Sequence, residues 1–342
     1  MKRHISVLLL ASSAVFAQTA DWRFIHPDAK AFVGIKIHRI MNSSLAAGLR
    51  SEATISGDMP DLSAVPGSDV FEKIDEIYVS SPGLPAGAPA NAQPPLLMRI
   101  TGRFTAEQVE ALLTLTGAKT QKYRERRVFR QKSDGDMAAT MIDAHTLLVG
   151  DAPSLFSALE RIDWTDAPRN PLLARAIELN AVNDLWAVFS VPPSSFTGAQ
   201  MPQFASLQSL RGMELAAALS DGLSLRFGLT TESAAAAAKL AEDLKQFISV
   251  RMQKDDDVPK LFANLTRNYA FDVDGATVRL QIRVSPEQMK LALAELHRQR
   301  EEQRKREIAT LRRQAATPPP APVKRMIRIE GLDDGTREIE MK

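Results

Sequence analysis

The stretch "LLMRITGRFTAEQVEALL", residues 96–113, joins an extended segment, a tight corner and a capped helix, and the same arrangement recurs later in the chain. Thr105 and Gln108 have the spacing of a capping box, which satisfies the open amides of a first helical turn. Val109, Leu112 and Leu113 then fall at i, i+3 and i+4, one face of a helix. The later copy, "LSLRFGLTTES", runs into five alanines at 234–238, and Leu240, Leu244, Phe247 and Ile248 continue the apolar stripe. Thr231 occupies the position expected of its cap.

The segment after each helix repeats as well. "HTLLVGDAPSLFSALERI" reads as a strand, an Asp151 cap and a helix with Pro153 near its first turn. "VRLQIRVSPEQMKLALAEL" reads as a strand, a Ser285 cap, Pro286 at the first helical position and Gln288 closing the box. Before each unit come two more strands, "AKAFVGIKI" with "IDEIYVSS" and "NDLWAVFSV" with "MELAAALS". Strands joined by tight turns pair antiparallel. The pattern therefore predicts an α+β chain with two similar domains, residues 18–163 and 164–297. Each has an antiparallel sheet with helices on one face, and the two are related by divergent duplication.

The remaining segments differ in character. Residues 298–323 read as a polar helix followed by the extended proline spacer "ATPPPAPVK". Residues 324–342 alternate apolar and polar positions around Asp334-Gly335, a hairpin signal. At the other end, Lys2 and Arg3 precede an apolar run and the small-residue exit "AVFA", the pattern of a secretory signal over residues 1–17. Cleavage there would start the mature chain at Gln18, soluble and either periplasmic or extracellular.

Charge and composition narrow the chemistry. The chain has 43 Lys plus Arg and 41 Asp plus Glu, so loss of Lys2 and Arg3 leaves the charges balanced. A balanced chain has no general attraction for nucleic acid. With no cysteine, thiol catalysis, disulfides and thiolate metal sites are excluded. His26, His38, His145 and His297 lack the helical spacing of metal ligands, and no nucleophile elbow, Walker loop or dinucleotide fingerprint is present. No cofactor or metal is expected. The Asp-Gly pairs at 134, 272–275 and 334 match hairpin turns better than calcium loops.

Two surfaces remain as candidates. "KTQKYRERRVFRQK" concentrates basic residues, among them Arg124, Arg126 and Arg127, as a surface for an anionic polymer or as a protected edge strand. Ile327, Ile329, Ile339 and Met341 alternate along the terminal hairpin, which can add its strands to the sheet edge of an envelope protein. "DWRFIHPDAKAFVGI", the doubled unit and "IRIEGLDDGTREI" together resemble a group of uncharacterised secreted bacterial proteins. That resemblance implies a bacterial envelope setting and brings no activity or site residues. The expectation is a non-enzymatic exported scaffold or binding protein. The alternative is a hydrolase or metal-dependent enzyme with a site between the two domains.

Export has a direct test. Intact-mass measurement of protein from its native host is expected to give a chain beginning near Gln18; a membrane-associated chain retaining residues 1–17 would contradict it.

Overall fold

The computed structural model describes residues 21–47, 73–84, 88, 92–131, 136–191, 202–220, 222–254, 269–316, 326–329 and 337–340. The strands β1 (Ala31–Ile35), β2 (Ile74–Ser81), β3 (Leu97–Gly102), β4 (Lys119–Tyr123), β5 (Arg126–Gln131), β6 (Met137–Asp143) and β7 (Thr146–Asp151) belong to the first half. β8 (Leu185–Ser190), β9 (Leu210–Ala218), β10 (Leu223–Thr231), β11 (Tyr269–Asp274) and β12 (Thr277–Val284) belong to the second. All of them form one antiparallel 12-stranded sheet in the order β11-β12-β10-β9-β8-β1-β2-β3-β7-β6-β5-β4. The fold is α+β.

Outward from its centre, the first half runs β1-β2-β3-β7-β6 and the second runs β8-β9-β10-β12-β11, so corresponding strands take corresponding places. The first half adds the hairpin β4–β5 at its outer edge. The halves meet where β1 pairs antiparallel with β8, from Ala31 opposite Phe189 to Ile35 opposite Leu185. Sequence reading placed a domain boundary near residue 163. The structure instead carries the sheet through that point and divides the chain between Ala292 and Leu293.

The helices that cover or flank the sheet are, in chain order, α1 (Ile37–Met41), α2 (Ala106–Leu115), α3 (Ala152–Leu159), α4 (Leu173–Val182), α5 (Ala234–Lys254) and α6 (Pro286–Ala316). The expected caps are in place on α2, α3 and α6: Thr105 with Gln108, Asp151 on the Ser154 amide, and Ser285 with Gln288. On α5 the cap is Ser233, whose Oγ accepts from the Ala236 amide, and not Thr231. Thr231 ends β10, where its buried hydroxyl lies 2.8 Å from the Ser233 carbonyl oxygen.

Helices cover both faces of the sheet, where one face was expected. α3 packs on Leu97, Val128, Ala138 and Leu148, whereas α2 packs on Ile100, Ala139, Leu147 and Val149. Neighbours along a strand point to opposite faces, so these two sets must lie on opposite sides. α4 joins α3 on the first side, over Phe32, Tyr78 and Trp186. α5 joins α2 on the second, over Leu229, Phe271 and Val278. The strands require this arrangement: "LMRIT", "TLLVG" and "LWAVFS" are apolar at most positions on both faces.

The second unit, residues 293–342, contains the rest of α6 and a hairpin of β13 (Met326–Ile329) and β14 (Arg337–Glu340). Its register sets Ile327 opposite Ile339 and Arg328 opposite Glu338, in a two-stranded sheet of its own. Met341 and the Asp334-Gly335 turn lie outside the described residues.

One close approach holds the central junction. Gly34 lies opposite Trp186, and a β-carbon added at Gly34 would stand 2.3 Å from the Trp186 indole. Trp186 is fully buried, so the ring has nowhere to retreat. Gly34→Ala is expected to lower unfolding stability by about 1–3 kcal/mol through overpacking, measured by urea denaturation. An unchanged midpoint would show that the junction can relax around a methyl group.

Candidate functional site

A single row of residues crosses the sheet on the Trp186 side: Gln281, Arg226, Ala216, Trp186, Gly34, Tyr78, Arg99 and Leu148. Because glycine occupies position 34, the Trp186 ring can reach over β1 towards Tyr78, with centroids 6.3 Å apart. Trp22, on the 3-10 turn Trp22–Phe24, closes the cluster edge-on to Tyr78 at 5.4 Å. The Trp186 indole N–H donates to Asn180 Oδ1 at 3.2 Å, and the Tyr78 hydroxyl lies 2.7 Å from Glu76 Oε2. Burial, with the Glu76 carboxylate beside it, pushes the Tyr78 phenol well above its ordinary pKa.

Arg99 continues that row beside the 3-10 turn, sharing a small cavity with Asp21, Trp22 and Tyr78. It is 8% exposed, and its guanidinium lies 5.0 Å from the centre of the Tyr78 ring. Its Nε is buried without a hydrogen-bond partner. Burial lowers its pKa, opposed by the nearby Tyr78, Asp21, Glu76 and Asp143. The corresponding residue of the second half, Arg226, is exposed and donates to Asn183 Oδ1 at 2.7 Å. Closer to the junction, Asp184 is 2% exposed, accepts from the Leu219 amide at 2.7 Å and lies 2.9 Å from Arg39 Nε.

The opposite side is apolar across the same strands. One row there reads Ile282, Leu225, Ala217, Leu185, Ile35, Ile77, Ile100 and Leu147. The next reads Leu280, Phe227, Leu215, Ala187, Val33, Val79, Met98 and Val149. α2 covers one end of these rows and α5 the other. Between them, Phe189, Met213 and Phe227 remain 36%, 37% and 37% exposed on three adjacent strands, and Val33, Ile35, Ile77 and Val79 are half-buried. This is an apolar floor between two helical walls. Adjacent exposed apolar side chains make this floor the candidate surface.

The sites expected from sequence are distributed differently. Arg124, Arg126 and Arg127 lie on the β4–β5 hairpin, and β4 is an outer edge of the sheet. Their charges turn back onto the protein. Arg124 pairs with Glu160, Arg127 with Glu110 at 2.8 Å, and Arg126 donates to the Ile142 carbonyl at 2.8 Å. Lys122 pairs with Glu125 in the same way at 2.7 Å. Ile327, Ile329 and Ile339 lie in the separate terminal hairpin.

The histidines take separate partners. His26 Nδ1 accepts from the Asp28 amide, and burial lowers the His26 pKa. His38 lies beside Asn42 on α1, and the His145 amide donates to Asp143. Among the described residues, no group of three or more metal-ligating side chains comes together, and no helix is long and apolar enough to cross a membrane.

Sequence reasoning missed both Arg99 and the apolar floor. Their signals were an arginine in the otherwise apolar strand "LMRIT", and strands such as "LWAVFS" that are apolar on both faces.

No protein-family model matches the chain, and no curated protein matches it. Among solved structures, crystal form I of TP0453 is similar at 11% identity, covering 82% of this chain and 98% of that chain with a TM-score of 0.44. Crystal form IV of TP0453 is similar at 10% identity, covering 80% and 95%, with a TM-score of 0.45.

The β4–β5 turn offers a test of the edge. Arg124 and Glu125 both adopt positive φ, 44° and 61°, in a two-residue turn that favours Asn-Gly. Glu125→Gly removes a left-handed backbone penalty of about 1–2 kcal/mol and loses only an exposed ion pair. It is expected to raise stability by about 0.5–1 kcal/mol after glycine's own entropic cost. A fall in the denaturation midpoint would show that the turn is not strained.

Proposed function

We propose that the chain is a non-enzymatic, exported binding protein of the bacterial envelope, and that it seats an amphipathic helix of another envelope polypeptide on the apolar floor. The observation that carries this reading is the exposure of Phe189, Met213 and Phe227 between α2 and α5. Four strands, β2, β1, β8 and β9, separate β3 from β10. At about 4.8 Å per strand, β3 and β10 are about 24 Å apart. A helix about 10–12 Å across fits between walls so spaced. A second sheet does not, because face-to-face sheets close to about 10 Å and the two helices already fill that height. The floor carries no charge, which favours an apolar helix face over an anionic polymer.

The terminal hairpin supplies a second contact in this reading. Its strands, Met326–Ile329 and Arg337–Glu340, pair only with each other among the described residues. A hairpin of that size is marginal in water, so addition to a partner's sheet edge would stabilise it.

A photo-crosslinking residue at position 213, introduced in the native host, tests the assignment. The expected product is one defined polypeptide adduct, lost when Phe227→Asp is added. Phe227 is partly exposed, so this variant is expected to keep its fold by circular dichroism. No adduct at position 213, or an adduct indifferent to Phe227→Asp, would overturn the floor as the binding surface. Removal of residues 315–342 is expected to weaken the same adduct without unfolding the first unit. An undiminished adduct would remove the hairpin from the account.

A further inference from the structure

Arg99 poses a separate problem. It is 8% exposed, yet none of its N–H groups donates to a protein acceptor among the described residues, and its Nε is wholly buried. A buried N–H without an acceptor, such as Arg99 Nε, is costly, and such groups are normally completed by another species.

The three carboxylates whose fields reach Arg99 are Asp21, Glu76 and Asp143. Each is already engaged elsewhere. Asp21 is held by Arg23 through bonds of 2.9 and 2.6 Å. Glu76 is paired with the Tyr78 hydroxyl, and Asp143 accepts from the His145 amide at 2.8 Å. The Tyr78 ring occupies one side of the guanidinium and supplies no acceptor atom to the N–H groups in its plane. Arg99 also lines a cavity of about 10 Å³ with Asp21, Trp22, Tyr78, Ser80 and Trp186. That is a small space, on the order of one bound water or simple ion.

We infer that this cavity is a binding site for a single small monovalent anion of halide size, held by the Arg99 guanidinium against Tyr78. The smallness of the space favours a simple ion over phosphate, sulfate or an organic carboxylate. The charge of Arg99, unmet by direct contact, favours an anion over water. The site lies on the Trp186 side of the sheet and is independent of the apolar floor.

Bromide provides the probe. Crystals of the full chain grown or soaked in sodium bromide are expected to show an anomalous peak in contact with the Arg99 guanidinium, absent from Arg99→Gln crystals. In solution, exchanging gluconate for chloride at constant ionic strength is expected to raise the melting temperature. The rise is about 2–4 °C for each tenfold increase above the dissociation constant, and Arg99→Gln should abolish it. A water without anomalous signal at that position, or a melting temperature indifferent to halide in the wild-type chain, would overturn the assignment. Should Arg99→Gln fail to fold, the wild-type bromide map alone decides.

Discussion

The approach of Trp186 to Gly34 is the contact on which the rest of the sheet depends. Any larger residue at position 34 would collide with the indole, and with glycine there the ring lies over β1 and reaches the Tyr78 side of the first half. The two halves thereby share a core in addition to the backbone bonds of β1 and β8. Ile25, Ala29, Phe32 and Tyr78 come from the first half, and Ala176, Leu179, Val188 and Ala216 from the second. Trp186 is the largest of the fully buried side chains in this shared core. Burying an aromatic ring of that kind is among the largest single contributions to a core.

From that centre the halves diverge in what they cover. In the first half, Leu97, Ala138 and Leu148 make the Trp186 side apolar, and α3 closes over them. In the second half the same side presents Arg226, Arg279, Gln281 and Arg283, with Arg279 paired to Asp274 at 2.9 Å. Such a surface is satisfied by water and its own ion pairs, so it needs no helix above it. The opposite side is apolar in both halves and, among the described residues, is covered at its ends by α2 and α5, which leaves the floor. The asymmetry also explains Arg99. It occupies the place that Arg226 holds in the second half, but is buried there beside Trp22 and Tyr78.

Much of this was legible in the sequence. The caps at Thr105, Asp151 and Ser285 are local, depending on side chains within one turn of their own backbone, and they appear where the spacing put them. Strand identity and hairpin pairing followed from alternation for the same reason. The union of the halves did not, because it rests on one long-range register between β1 and β8 and on a glycine whose partner lies about 150 residues away in the chain. Helices on both faces were foreshadowed by strands apolar at nearly every position, a composition that only two-sided cover explains. The basic segment shows the reverse problem: its ion-pair partners Glu110 and Glu160 lie outside it and cannot be read from its own spacing.

The central claim is that the two halves form one cooperative sheet locked at the Trp186–Gly34 crossing. Native-state hydrogen exchange on the β1 and β8 amides tests it most directly, since exchange reports the free energy of the opening that exposes each amide. The account predicts that amides of Phe32, Val33, Ala187 and Val188 exchange only through global unfolding, with the same dependence on denaturant as those of Leu148 in the first half and Leu225 in the second. Exchange of the β1–β8 amides at a lower free energy, while the two halves stay protected, would show two bodies that merely abut and would contradict it.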